Sequence, residues 1–207
     1  MSALGLPQAD RGGIRRMTEP TPPGLPPLAD ADLPESVAEV IAAWPYKLHR
    51  TLAHSPTTLI KWLPYGEHIL LVSALPFRER EIAILRVGWN ARCAYEWGMH
   101  SIVARRGGFE DADFEALCVG AASERWSEGE AAVVAAVDDM QARWTISEGV
   151  WTRLAAHYAP DQLVDLVWLS GNFMTISLQL NALRVPLEDG LPPLPEDRPH
   201  YTRANRS

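Results

Sequence analysis

The chain has 207 residues and a mass of 22.9 kDa, enough for one domain with a sizeable core. Its net charge of -7 and pI near 5.4 argue against nucleic acid or an anionic membrane surface as the main partner. Two cysteines, Cys93 and Cys118, give no secreted disulfide framework; no apolar leader follows Met1 and no run approaches the ~20 apolar residues of a membrane span, so a cytoplasmic protein without membrane contact is expected.

Residues 1–34 are rich in Pro and Gly and carry no apolar period, which predicts a flexible arm that, where ordered, lies across a neighbouring subunit. Arg11, Arg15 and Arg16 make a small, solvated basic group in it. A single helical domain is expected over 35–187. From Pro34, Val37, Val40, Ile41 and Trp44 repeat at helical spacing and Pro45 ends the run. Tyr46 to Ala53 makes a second short segment. Ser55-Pro56 opens a third, whose Leu59, Ile60, Leu63, Ile69, Leu70 and Val72 are expected to face a core, while His54 and His68 read as structural histidines.

The stretch from Arg78 to Gly107 holds four residues able to do chemistry, Glu81, Cys93, Glu96 and His100, among apolar side chains. Pro76 stands just before its first helix, where a missing N–H is tolerated, and Ile82, Leu85, Val87 and Trp89 form an apolar face. Gly88 and Asn90 predict a break. With Asn90 as N-cap, Cys93 falls near the third residue of the next helix, where the macrodipole lowers a thiol pKa from about 8.5. Glu96 and His100 follow Cys93 on one face. Glu81 would point about 120° away on an unbroken helix, so only a bend near Gly88 to Asn90 returns it to them.

Each residue also has an ordinary structural reading. A lone Cys on an apolar helix is usually a small core hydrophobe, and a Glu and His four residues apart can be a solvated pair. The company of Trp97, Met99, Ile102 and Val103 on one side and Tyr95 and Trp89 on the other favours shifted pKa values, the usual condition of acid–base groups.

Further along, Glu110 to Val119 reads as a helix with Phe114, Leu117 and Cys118 inside, and Cys118, without charged helpers, as structural. Ser127 with Glu130 has capping-box form and opens a helix through Ala131, Val134, Val137 and Met140. Ser147 opens another through Val150, Leu154 and Tyr158. The last helix, after Pro160, repeats the central text weakly: Asp165, Leu166, Leu169 and Phe173 align with Glu81, Ile82, Leu85 and Trp89, while Ser177, Leu180 and Arg184 stand where Cys93, Glu96 and His100 would be. Two copies of one helical hairpin, the second without the chemistry, account for this. The tail at 188–207, with Pro192, Pro193, Pro195 and Pro199, cannot continue a helix.

The pattern Glu81, eleven residues, Cys93, two residues, Glu96, three residues, His100 resembles the signature of the carboxymuconolactone decarboxylase and alkyl hydroperoxidase D (AhpD-like) superfamily. Its flanks agree, at Pro76 to Val87, Tyr95 to His100 and Ile102 to Gly108, and the likeness extends more weakly from about Leu33 to Leu187. The resemblance implies an all-α, AhpD-like helical bundle that assembles as a trimer or hexamer. Its hydroperoxidase branch uses a Cys-x-x-Cys pair, and here Glu96 replaces the second cysteine, so a thiol peroxidase would depend on Cys93 alone. Its decarboxylase branch implies acid–base work by His100 with Glu96 and Glu81 on a small organic acid or lactone-like substrate, with Cys93 as an accessory. In that reading Trp89, Tyr95 and Trp97 line or support an apolar pocket, and Arg92, Arg86 or Arg105 binds a substrate carboxylate. A non-catalytic oligomeric scaffold is the third reading. No metal is expected, since the Glu96 and His100 pair supplies two ligands, no HExxH motif is present and a catalytic zinc takes three; no cofactor is expected either.

Overall fold

Nine consecutive residues, Glu81 to Trp89, are buried, and the helix that carries them is the axis of the molecule. A helix buried on every side must be wrapped by others, and the computed structural model, which describes residues 24–196, shows how. Among the described residues there are only helices: α1 Ala38–Ala43, α2 Lys47–Leu52, α3 Pro56–Leu71, α4 Phe77–Asn90, α5 Ala94–Arg106, α6 Asp111–Val119, α7 Glu128–Arg143, α8 Glu148–His157 and α9 Pro160–Leu183, with two short 3-10 turns before α1. The central α4 packs on α5, α6, α7 and α9. One core cluster runs through these helices, and a smaller one of Val37, Ile41, Ala53 and Leu59 joins α1 to α3.

The start signals read from sequence hold in several places. Ser127 Oγ accepts from Glu130 N–H while Glu130 Oε2 accepts from Ser127 N–H, a full capping box on α7. Ser147, whose N–H and hydroxyl both donate to Asp139, precedes α8. His54 Nε2 pairs with the Pro26 carbonyl, a structural role. Two core assignments fail: Ile60 is 37% exposed and Val72, the C-cap of α3, is 68% exposed.

The break after α4 is made differently from the sequence reading. Gly88 does not interrupt the helix; it is buried within it, and a Cβ there would stand 3.4 Å from both Glu96 Cβ and Trp97 N, so its bareness lets α5 start against α4. Asn90 is not an N-cap. It ends α4, and its amide donates to Asp138 and Gln141 on α7. The chain turns at Arg92, whose φ of 53° is left-handed; Cys93 N–H donates to Gly88 O and Arg92 N–H to Trp89 O, a Schellman closure. Cys93 is itself the N-cap of α5.

The weak repeat is one of packing and not of shape. Leu166, Leu169 and Phe173 are buried as Ile82, Leu85 and Trp89 are, but α9 runs unbroken from Pro160 to Leu183 and has no bend opposite the one at Arg92. Asp165, the counterpart of Glu81, accepts from Ser73 Oγ and Ala74 N–H and so secures the loop before α4. By length and composition α9 could cross a membrane, which the sequence reading did not foresee; half of its apolar window is buried against the other helices, as in a core helix.

Residues flanking the bundle lie on their own chain. Leu25 N–H donates to Leu183 O, and Arg50 reaches the Leu28 carbonyl and Asp30, so this part of the arm is tied to α9 and α2 of its own chain. Arg11, Arg15 and Arg16 lie outside the described residues. After α9, Glu188 accepts from Lys47 N–H and Tyr95 O–H, and Leu191 covers Gly98.

Candidate active site

The bend between α4 and α5 brings Glu81 back toward the residues it precedes. Its Oε2 accepts from His100 Nδ1 at 2.8 Å, and on the other side of the imidazole Nε2 stands 3.7 Å from Glu96 Oε2. All three side chains are buried. Phe173 of α9 sets its ring edge-on to the imidazole, 5.0 Å between centroids, and limits its rotation. Because Nδ1 is held by a carboxylate acceptor, it carries the proton, and Nε2 is left to exchange one.

Burial opposes a charged imidazole at His100, but the Glu81 charge, its hydrogen bond and the Glu96 charge together raise the pKa above the ordinary 6.5. Glu96 moves the other way from a normal acid: burial and the Glu81 charge push its pKa up to about 7, with His100 partly opposing. A carboxyl that titrates near neutral pH thus lies beside the free nitrogen of an imidazole that favours its charged form, the poise needed for acid–base work.

His100 and Glu96 line a cavity of about 170 Å³. Its walls are apolar and aromatic: Trp44, Tyr46, Trp62, Leu63, Leu70, Met99, Val103, Phe173 and Ile176. The polar lining residues besides His100 and Glu96 include Glu67, His49, Asn172 and Tyr95. Among the described residues, neither Arg nor Lys lines it.

The sequence-derived candidates divide accordingly. Tyr95 lines the cavity, with its hydroxyl donating to Glu188 and accepting from Leu48 N–H. Trp89 and Trp97 do not; they pack against each other with tilted rings, 5.8 Å between centroids, and Trp97 continues to Phe114, so they support the site from behind. Arg92 is exposed at the turn with its guanidinium 5.0 Å over the Trp89 ring. Arg86 is buried and paired with Asp138 and the Leu117 carbonyl, and Arg105 pairs with Asp111. None of the three arginines reaches the cavity, so the assignment of a carboxylate-binding arginine is corrected.

Cys93, expected as a catalytic or accessory residue, stands apart from the cavity. It is fully buried. Burial pushes its thiol up to about 11, helped by the Glu96 charge; the N–H groups of Glu96 and Tyr95 and the Ser177 hydroxyl pull down by less. The helix-terminus effect foreseen from sequence exists, but desolvation outweighs it.

The sequence reading missed His49, Trp62, Asn172 and Phe173. Asn172 left a signal, being a polar residue inside the apolar run of α9. His49 left none, because nothing in its short segment says that α2 faces α5.

The sequence model of the carboxymuconolactone decarboxylase family matches residues 56–139, which includes Glu81, Cys93, Glu96 and His100. No curated protein matches the chain. Solved structures share the fold. An uncharacterized peroxidase-related protein from Ralstonia eutropha JMP134 with an alkylhydroperoxidase AhpD core superposes with a TM-score of 0.68 at 18% identity, covering 82% of this chain and 95% of that one. The debrominase Bmp8, a cysteine-to-alanine variant in complex with 2,3,4-tribromopyrrole, gives 0.66 at 16% identity, over 80% of this chain and 91% of that one. A protein of unknown function from Agrobacterium tumefaciens, provisionally described as the antioxidant defence protein AhpD, gives 0.61 at 21% identity, over 66% and 94%.

Proposed function

We propose an enzyme that moves a proton to and from carbon in a small, neutral, lactone-like molecule, with His100 as the acid/base, on a chain whose residues 56–139 match the carboxymuconolactone decarboxylase family model and whose fold is AhpD-like. The observation that carries this is the Glu81–His100–Glu96 array at the cavity: one imidazole nitrogen is held at 2.8 Å and the other faces a carboxyl whose pKa is about 7. A proton on carbon beside a lactone carbonyl passes to Glu96 or His100, the electrons of the broken C–H bond move into the carbonyl, and return of the proton at another carbon shifts the double bond. Glu81 does not exchange that proton; it orients the ring and stabilises its charged form.

The charge of the lining favours the neutral half of the sequence expectation. A substrate carboxylate would enter beside Glu96 and Glu67 with only His100 as counter-ion, so isomerisation of a lactone fits better than decarboxylation of an acid. A thiol peroxidase centred on Cys93 is the second reading, supported by the fold shared with the peroxidase-related protein from Ralstonia eutropha; it requires the buried thiol to become exposed and ionised.

The test is hydrogen–deuterium exchange at carbon in a panel of unsaturated lactones, followed by NMR in heavy water. Wild-type exchange that disappears in His100→Gln supports the reading. Exchange that persists in the variant overturns it, and absence of exchange with every lactone favours the peroxidase or scaffold readings.

We also propose that the chain assembles as a homo-oligomer, a trimer or hexamer. Support comes from the exposed apolar side chains of α9 and its neighbourhood, Val164, Trp168, Leu178 and Trp144, the last 89% exposed. A monomer in light scattering would contradict it.

A further inference from the structure

We propose that His49 and Asn172 form the polar end of the cavity and bind the neutral carbonyl oxygen of a planar, lactone-like ligand, the group that takes up charge while His100 works on carbon. This rests on the proton-transfer reading for the identity of the ligand, but the site stands on its own geometry.

His49 lines the cavity and is buried, 6% exposed; its Nδ1 is sealed off without a hydrogen-bond partner among the described residues, which leaves Nε2 as the ring nitrogen open to a ligand. A histidine without any hydrogen-bond partner is costly to keep buried, so its place at the wall of the cavity points to a ligand for its open nitrogen. The ring is fixed by three aromatic neighbours, Trp44, Tyr46 and Trp62, at centroid distances of 5.9, 6.0 and 6.2 Å. Burial lowers its pKa to about 4, so at neutral pH it is an uncharged imidazole with one N–H to donate.

The other N–H groups of this wall are already committed. Trp44 Nε1–H donates to Glu67 Oε1 at 2.7 Å and Trp62 Nε1–H to Asn172 Oδ1 at 3.1 Å. The second bond fixes the amide: an indole nitrogen can only donate, so the Asn172 oxygen must face it and the two amide N–H donors are left for the cavity. His49 and Asn172 thus offer donors without net charge, which suits a carbonyl oxygen and its developing enolate. They suit a ring-opened carboxylate poorly, because its full charge would be desolvated opposite Glu96 and Glu67.

Three ligands on one frame separate the possibilities: phthalide, a neutral planar benzolactone; indane, which lacks both oxygens; and 2-(hydroxymethyl)benzoate, the ring-opened anion. Affinities come from ligand-detected NMR titration of the full chain at neutral pH. The expected result is phthalide about tenfold tighter than indane and the anion weaker than phthalide by a similar factor. In His49→Phe the phthalide-to-indane ratio falls to within about twofold while indane binds as before; His49→Gln retains part of the ratio.

Equal binding of phthalide and indane by the wild type, tighter binding of the anion, or a ratio unchanged in His49→Phe overturns the proposal. A general packing defect would weaken both neutral ligands together and leave the ratio intact, which also counts against it. If His49→Phe does not fold, the three-ligand comparison on the wild type and His49→Gln decides. Turnover is not involved, so failure of carbon exchange in the lactone panel would remove the proton-transfer reading without touching this result.

Discussion

His100 Nδ1 and Glu81 Oε2 stand 2.8 Å apart across a sequence gap of 19 residues, joining α5 to α4 behind the cavity. The contact exists because the left-handed turn at Arg92 reverses the chain and the bare Gly88 lets the two helices close up. Glu81→Gln keeps the size and removes the charge. The His100 pKa should then fall from its raised value, read by NMR titration of the ring protons, and carbon exchange should drop roughly 10- to 100-fold, less than the loss on His100→Gln.

That pair also has a pH signature. The folded pKa of His100 lies above its ordinary 6.5, so the pairing stabilises the fold fully below that value and loses its contribution as pH rises through the folded pKa. The Tm gap between wild type and Glu81→Gln should therefore be widest on the acid side and narrow above it. A gap that widens with pH would contradict the assignment.

Glu96 contributes in the opposite sense to an ordinary carboxylate. Its pKa rises from 4.5 to about 7 on folding, so the folded state holds the proton more tightly and stability is lost as pH rises through that window. The shift corresponds to a penalty on the order of 3 kcal/mol once Glu96 is ionised. Glu96→Gln, which cannot ionise, should gain on the wild type between pH 5 and 8 in chemical denaturation (roughly this window), while losing carbon exchange.

Cys93 should be slow toward disulfide reagents. With the thiol near pKa 11, only about one molecule in a thousand is thiolate at pH 8. Cys118, which is partly exposed, should react first. Rapid labelling of Cys93 at neutral pH in the native protein, with consumption of peroxide, would move the thiol peroxidase ahead.

Arg86 is the largest fully buried side chain among the described residues, and Asp138 and the Leu117 carbonyl satisfy its guanidinium. Arg86→Leu should cost roughly 3–5 kcal/mol of stability by stranding those partners. Its effect on ligand affinity in any folded fraction should be small, because the residue does not reach the cavity. Thermal unfolding beside a phthalide titration checks both halves.

Much of this was legible locally. The 3.6-residue apolar repeat places helices because it concerns neighbours on the same turn, and the Ser127–Glu130 box and Pro160 act within four residues of themselves. The spacing that puts Glu96 and His100 on one face, and the need for a bend to recruit Glu81, follow from helix geometry alone; the resemblance of the Glu81–Cys93–Glu96–His100 pattern to the carboxymuconolactone decarboxylase family was carried by residue identity and spacing, and the family model covers it. The tertiary structure decided what depends on chain segments far apart. Whether Cys93 is ionisable is set by what covers it, including Ser177 on α9, and desolvation there overrides the helix field. Which polar groups share the cavity with His100 is set by the packing of α2, α3 and α9, and so His49 could be found only once the helices were in place, while Asn172 stood out in sequence only as a polar break in an apolar run. Local periodicity fixes the direction of a side chain on its own helix; burial, and with it charge and reactivity, is fixed by the helices that close over it.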